Sequence, residues 1–222
     1  MTLDNKSQLP LELFVPPEPT LENFVAGSNA AVLESLKLVR QGKGPQVIYL
    51  HGETGVGCTH LLKSLGTVAP QVPTFSPEKR LYLVDNVEKL DSEGQQRIFE
   101  LVNAVRAHPG TTLVAASHLS PRELGKRGFR SDVTSRLSWG MVFELQPLTS
   151  EEKHKEFLKR ARQAGLVVTP EALTWIETYL PRDMRTLTRL LEGVNRFSLT
   201  TNRAMTVPLL KEWILREGGN VG

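Results

Sequence analysis

Residues Gly52-Glu53-Thr54-Gly55-Val56-Gly57-Cys58-Thr59 fit the phosphate-loop spacing GxxxxGK[ST] at every fixed position except the lysine, where Cys58 stands. The frame around them is the one such a loop needs. Gln46 to His51 is a short apolar run that reads as a buried strand entering the glycines, and Thr59 to Gly66 reads as the helix leaving them. A strand, a glycine turn and a helix in that order admit few folds other than an α/β nucleotide-binding one. The glycines let backbone N–H groups curl around phosphates, and Thr59 can help to hold Mg²⁺. The ammonium that would reach the outer phosphates is missing. The pattern thus keeps the shape of a nucleotide site and drops its strongest charge contact, which argues against ordinary ATP turnover.

The rest of the chain extends the α/β reading. Ala30 to Val39 is predicted helical, with Val32, Leu33, Leu36 and Val39 on one face. Leu81 to Asp85 is predicted as a second strand. A helix follows whose stripe is Ile98, Phe99, Val102 and Val105. Thr111 to Ala116 and Met141 to Leu145 are predicted as a third and a fourth strand, so the sheet is expected to be parallel and flanked by helices. Between the first two strands, Val68 to Lys79 holds three prolines and reads as a loop.

After Pro147 the pattern is wholly helical. Thr149-Ser150-Glu151-Glu152 is a capping box, and Thr169-Pro170-Glu171 is a second helix start. Asp183 can cap a third helix with the stripe Met184, Leu187, Leu190, Leu191, Val194 and Phe197. A fourth is expected from near Thr206 to Gly218. The expected organisation is a flexible tail over 1–19, an α/β base over 20–147 and a small all-helical lid over 148–222.

Composition excludes some classes. With 27 basic and 24 acidic residues the net charge is only +3, too mild to argue for nucleic-acid binding on charge alone. One cysteine rules out an internal disulfide and a cysteine-based zinc cluster. No apolar run approaches the roughly 20 residues of a membrane span, and the N-terminus has no apolar signal core, so a cytoplasmic protein is expected.

Several residues invite a chemical reading beside a plain one. Asp85, at a strand end, is placed to hold Mg²⁺ with Thr59 through water, or is a turn residue. The next residue is Asn86, whose amide cannot act as a general base. Ser117 and His118 close the third strand, where a polar group often senses the γ-phosphate; alternatively His118 caps a turn before Pro121. Arg136 lies in Ser131-Asp132-Val133-Thr134-Ser135-Arg136-Leu137-Ser138-Trp139-Gly140, after a helical stretch and before a strand. It suits an arginine finger reaching a neighbour's nucleotide, or a surface salt bridge. Arg185, in the first turn of the third lid helix, either leans over a nucleotide or is exposed. Cys58 is a small filler or a redox-active thiol activated by a helix N-terminus.

These residues together resemble the DnaA-type AAA+ proteins, and most closely the DnaA regulatory inactivator (Hda) family, over nearly the whole chain. Thr20-Leu21-Glu22-Asn23-Phe24-Val25-Ala26-Gly27-Ser28-Asn29 is similar to the family's adenine-side entry motif. Ser135-Arg136-Leu137-Ser138-Trp139-Gly140 matches its arginine-finger box, and Asp183-Met184-Arg185-Thr186-Leu187 its sensor 2 motif. Asp85-Asn86 matches the pair that inactivators show where the initiator has two acids. In the tail, Gln8-Leu9-Pro10-Leu11-Glu12-Leu13-Phe14 resembles peptides that bind the DNA polymerase sliding clamp. Gln8 would supply a polar anchor, Leu9, Leu11, Leu13 and Phe14 the apolar contacts, and Pro10 a lower ordering cost. Read as it stands, the chain also leaves no room for the initiator's C-terminal helix-turn-helix domain or its long N-terminal domain.

The resemblance implies an AAA+ base and lid and a negative regulator of replication initiation. Such a protein would ride on the clamp (the polymerase β subunit), meet DNA mainly through it, and offer Arg136 to ATP held by the DnaA initiator. An ATPase of its own is not expected. It further implies ADP as the bound nucleotide, with Mg²⁺ at Thr59 and Asp85. The nucleotide would be met by Phe24, Val25, Gly52, Thr54, Gly55, Val56, Gly57, Cys58, Thr59, His60 and Arg185. The alternative is a nucleotide-free or ATP-inert adaptor that docks replication proteins without stimulating hydrolysis. Three departures bear on the nucleotide rather than on Arg136 or the tail: Cys58 itself, His118-Leu119 where the family has Asp-Arg, and a 68–79 segment too short for the strand and helix usual there.

Overall fold

The structure is a computed structural model that describes residues 18–179, 184–201 and 204–216. Its centre is a sheet of four strands: β1 (Val47–His51), β2 (Leu81–Val84), β3 (Thr112–Ser117) and β4 (Met141–Glu144). Their order is β2-β3-β1-β4 and every pairing is parallel, with Val47 opposite Leu113, Ile48 opposite Met141 and Leu81 opposite Thr112. The central strands are apolar at nearly every position because both faces are covered. Successive side chains of β1 alternate between the two faces. Val47 and Tyr49 join a core closed by α3 (Ser92–Ala107), α4 (Pro121–Lys126) and α5 (Ser131–Leu137). Ile48 and Leu50 join the opposite core, closed by α1 (Ala30–Arg40) and α2 (Cys58–Leu65).

The 121–137 stretch holds two short helices. Arg136 sits in the last turn of α5, inside the helix and not after it. The turn before Pro121 is capped by Ser120, whose side chain accepts from the Glu123 N–H in a full capping box, so His118 does not serve that purpose. Segment 68–79 contributes no strand, and β2 is the outer strand on that side. The segment instead seats Phe75 on Tyr82 at 5.6 Å between ring centroids, while the Tyr82 hydroxyl donates to the Ser76 carbonyl and accepts from its N–H.

The helical region has a core of its own. It consists of α6 (Ser150–Gln163), α7 (Pro170–Tyr179), α8 (Met184–Thr201) and α9 (Val207–Arg216), closed around Phe157, Ile176, Leu190, Val194 and Leu209. The capping box at Thr149 and Glu152 forms as predicted, and the Thr169 hydroxyl accepts from the Ala172 N–H at the start of α7. Asp183 lies outside the described residues. Among the described residues no helix is long and apolar enough to cross a membrane.

One buried amide ties the entry to α1 to the segment leading into α6. Asn29 is 4% exposed; its side chain donates to the Gln146 carbonyl at 2.9 Å and accepts from the Gln146 N–H at 2.8 Å. Asn29→Ala removes both bonds and leaves two backbone groups to be rehydrated. We expect a loss of about 2 kcal/mol, read as a lowered urea midpoint with unchanged m.

Candidate functional site

Because the strands are parallel, His51, Val84 and Ser117 all end on the same edge of the sheet. The glycine loop, Asp85 and the residues after β3 therefore gather there, where open α/β sheets bind ligands. Gly55 and Gly57 both adopt left-handed backbone, with φ of 91° and 110°. Gly57 also has no room for a side chain: a Cβ there would lie 2.6 Å from the Phe24 ring. The glycine turn thus takes the left-handed conformations that its spacing predicts, with Phe24 of the entry segment laid against Gly57.

Cys58 opens α2 and turns into the core beside Leu61, Leu62 and Leu36. Burial, helped by the Asp85 carboxylate, pushes its thiol from the ordinary 9.0 up to about 12. The redox-active reading fails here, because desolvation of the thiolate outweighs any help from the helix N-terminus. Since the folded thiol holds its proton more tightly than the unfolded one, its stability contribution is complete below pH 9. That contribution is lost as pH rises toward 12. At pH 8 we expect Cys58 to resist alkylation in the native protein and to react fully in denaturant; rapid native labelling would refute this.

Asp85 accepts from the N–H of Asn86 at 2.8 Å, and Asn86 is the one described non-glycine residue with positive φ, 52°. Asparagine tolerates this conformation better than most side chains. Among the described residues no three of His, Cys, Asp and Glu converge as a metal cage. An ion held by Thr59 and Asp85 would depend on phosphate oxygens for the rest of its shell.

A carboxylate that the sequence pattern does not single out, Glu88, lies in the short 3-10 turn Val87–Lys89 that follows Asp85. Its side chain is 11% exposed, and it accepts from the Ser117 hydroxyl at 2.8 Å and from the His118 N–H at 3.4 Å. His118 Nε2 stands 3.9 Å from its other oxygen. Ser117 is thereby committed to Glu88 and to accepting from the Leu119 N–H. The only sequence signal was an acid three residues after Asp85, which by itself reads as a helix-start residue.

The entry segment is fastened on both sides. The backbone N–H groups of Thr20 and Asn23 each donate to the other's side chain. His60 Nε2–H donates to the Thr20 carbonyl at 3.0 Å, and the ring lies 5.6 Å from Phe24. Burial holds the His60 pKa below its ordinary value, so the ring is neutral near pH 7. From the helical side, Arg160 of α6 donates to the Asn23 carbonyl, to Glu156 and to the Thr188 hydroxyl of α8. Phe24, Gly57 and His60 are therefore brought together. Arg185 lies in the first turn of α8, but its side chain is outside those described. Gln8, Leu9, Leu11, Leu13 and Phe14 are likewise outside the described residues.

Arg136 has no ion pair among the described residues, and its buried Nε has no hydrogen-bond partner there. Its contacts are aromatic. The guanidinium lies 3.5 Å from the Trp139 ring centroid and 5.6 Å from that of Phe99. The surface salt bridge that was the plain alternative is not what the structure shows.

Comparison with known proteins bears on both parts of the chain. Residues 150–214 match the family model described as "Hda, lid domain". Domain III of the Thermotoga maritima replication initiation protein DnaA superposes with a TM-score of 0.66 at 23% identity, covering 91% of this chain and 96% of that one. AMPPCP-bound DnaA from Aquifex aeolicus gives 0.65 at 20% identity over 92% of this chain and 71% of that one. The Thermotoga maritima RuvB Holliday junction branch migration motor gives 0.63 at 16% identity over 89% and 72%. The chain therefore has the fold of DnaA domain III, and its residues 150–214 are similar to the Hda lid domain.

Proposed function

We propose that this protein is a negative regulator of replication initiation that acts on the DnaA initiator. The observation that carries the reading is the match of residues 150–214 to the Hda lid, set on a base with the fold of DnaA domain III. The protein docks on the DNA polymerase sliding clamp through Gln8, Leu9, Leu11, Leu13 and Phe14. It then presents Arg136 in trans to ATP held by the initiator, and hydrolysis leaves the initiator in an inactive ADP form. That Arg136 has no ion pair among the described residues supports this role, since a guanidinium neutralised by a carboxylate would have little charge to offer a transferring phosphoryl group.

The chain's own nucleotide site supports binding better than turnover. Gly52 to Thr59 would cradle the phosphates, with Thr54, Gly55 and Val56 at its turn and Thr59 and Asp85 toward Mg²⁺. Phe24, Val25 and His60 would flank the base, with Arg185 above. A bound ADP there supplies a structural link between base and lid, not a reaction. Cys58 in place of the lysine and Asn86 after Asp85 remove the phosphate ammonium and the general base from the positions where such a site carries them, which supports nucleotide binding without turnover by the isolated chain. An ATP-inert docking adaptor is the second reading, favoured by the replacement of that lysine with the buried Cys58.

The test is single-turnover hydrolysis of ATP on the cognate initiator, with clamp-loaded DNA, in the presence and absence of this protein. Acceleration supports the regulator; none, with clamp binding intact, supports the adaptor. For the tail, Gln8→Ala with Leu11→Ala is expected to weaken clamp binding at least tenfold without changing the melting temperature. Unchanged binding in a surface-plasmon assay would remove the tail from the mechanism.

A further inference from the structure

Trp139 is held between two cations. The guanidinium carbon of Arg136 lies 3.5 Å from its ring centroid and that of Arg106 lies 3.9 Å away. Two planar guanidiniums that close to one centroid overlap if they share a face, so they must lie on opposite faces of the indole. Phe99 also lies 5.6 Å from the Arg136 guanidinium, and Arg130 lies 5.6 Å from the Phe99 ring. Arg130 is neutralised by Asp132 at 2.6 Å, and its backbone N–H is received by Gln95 of α3. Neither Arg106 nor Arg136 has an ion pair among the described residues. Phe99 and Arg106 stand seven residues apart on α3, nearly two full turns, and so share one face of that helix. Trp139 is 48% exposed, so the ladder is at the surface.

We infer that Trp139, backed by Arg106, is the positioning residue for Arg136, a role that rests on the trans-acting arginine proposed above. A ring contacts a guanidinium through its face, while the guanidinium's N–H donors point outward in its own plane. Stacking therefore orders the long side chain and leaves the terminal Nη donors for phosphoryl oxygens, while Nε stays buried. A carboxylate would order it equally well, but would occupy those donors and cancel the charge. Arg106 keeps the indole from turning away and adds a second positive charge beside the first. That charge favours the approach of a triphosphate-bearing partner.

The experiment compares wild type with Trp139→Leu, Trp139→Phe and Arg106→Ala in the clamp-dependent hydrolysis assay, with this protein titrated to saturation. Heteronuclear spectra of the arginine Nε–H groups are recorded in parallel. Trp139→Leu is expected to lower the maximal stimulated rate about tenfold with its half-saturating concentration unchanged, and Trp139→Phe to restore most of it. Arg106→Ala should fall between them. The Arg136 Nε–H resonance should be ring-shifted in wild type and in Trp139→Phe, and should lose that shift in Trp139→Leu. A wild-type rate in Trp139→Leu, a Trp139→Phe as impaired as Trp139→Leu, or no ring shift in wild type would each overturn the inference. No stimulation by wild type, beside a ring shift that Trp139→Leu abolishes, overturns the hydrolysis reading and upholds the stack as what orders Arg136.

Discussion

Arg136→Ala is expected to leave a folded protein that still binds the clamp and stimulates initiator hydrolysis about 10³-fold less than wild type. The magnitude is the lower end of what an arginine supplied in trans contributes to phosphoryl transfer. The folding cost should be small, about 1 kcal/mol, because what is lost is stacking on Trp139 and Phe99 and no ion pair among the described residues. Arg136→Lys should rescue little. An ammonium keeps the charge but cannot lie flat on the indole or present two parallel donors. Circular dichroism melts and clamp binding, measured beside the hydrolysis assay, separate loss of chemistry from loss of fold. An alanine variant that stimulates like wild type would shift the protein to the adaptor reading.

The second large effect is on stability, at Gly140→Ala. Gly140 links Trp139 to β4, and a Cβ there would be driven into the Val47 carbonyl group, 2.7 Å from its carbon. Neither side can yield easily. Val47 opens β1 and its backbone is held in the sheet, while the adjacent Met141 is in register with Ile48. The clash has to be relieved by moving β4 away from β1, which loosens parallel hydrogen bonds along that edge. We expect a loss of about 3 kcal/mol, in the upper part of the range for single substitutions, seen as a lowered urea midpoint. Stability within 0.5 kcal/mol of wild type would mean that this junction is far more compliant than the close approach implies.

Most of the α/β frame was readable from local pattern. The limits read from the sequence lie within a residue of those observed for all four strands; β1, β2 and β3 are covered on both faces and leave a continuous apolar run, whereas β4 is mostly exposed and is legible from its apolar residues Met141, Val142 and Phe143 alone. The starts of α6 and α7 were readable because capping hydrogen bonds span only three residues. The 121–137 region was harder. Its two helices have 6 and 7 residues, too short for a helical period to stand out, and so Arg136 was expected beyond the helix that in fact contains it. Phe99 illustrates a subtler limit. It joins the apolar stripe of α3, but its place at the margin of that stripe lets it face guanidiniums.

By itself, the sequence determined where the chain turns, caps and alternates, and which loop could hold phosphate, because those choices rest on interactions between residues a few positions apart. Only the tertiary structure decided what surrounds each chemical group. It buried Cys58 and so kept its thiol protonated. It brought Glu88 to Ser117 across 29 positions and Arg160 to the Asn23 carbonyl across 137. It also stacked Arg136 and Arg106 on one indole. These contacts exist because helices dock on the two faces of a parallel sheet and place side chains from distant turns against each other. No periodicity within one element encodes that meeting.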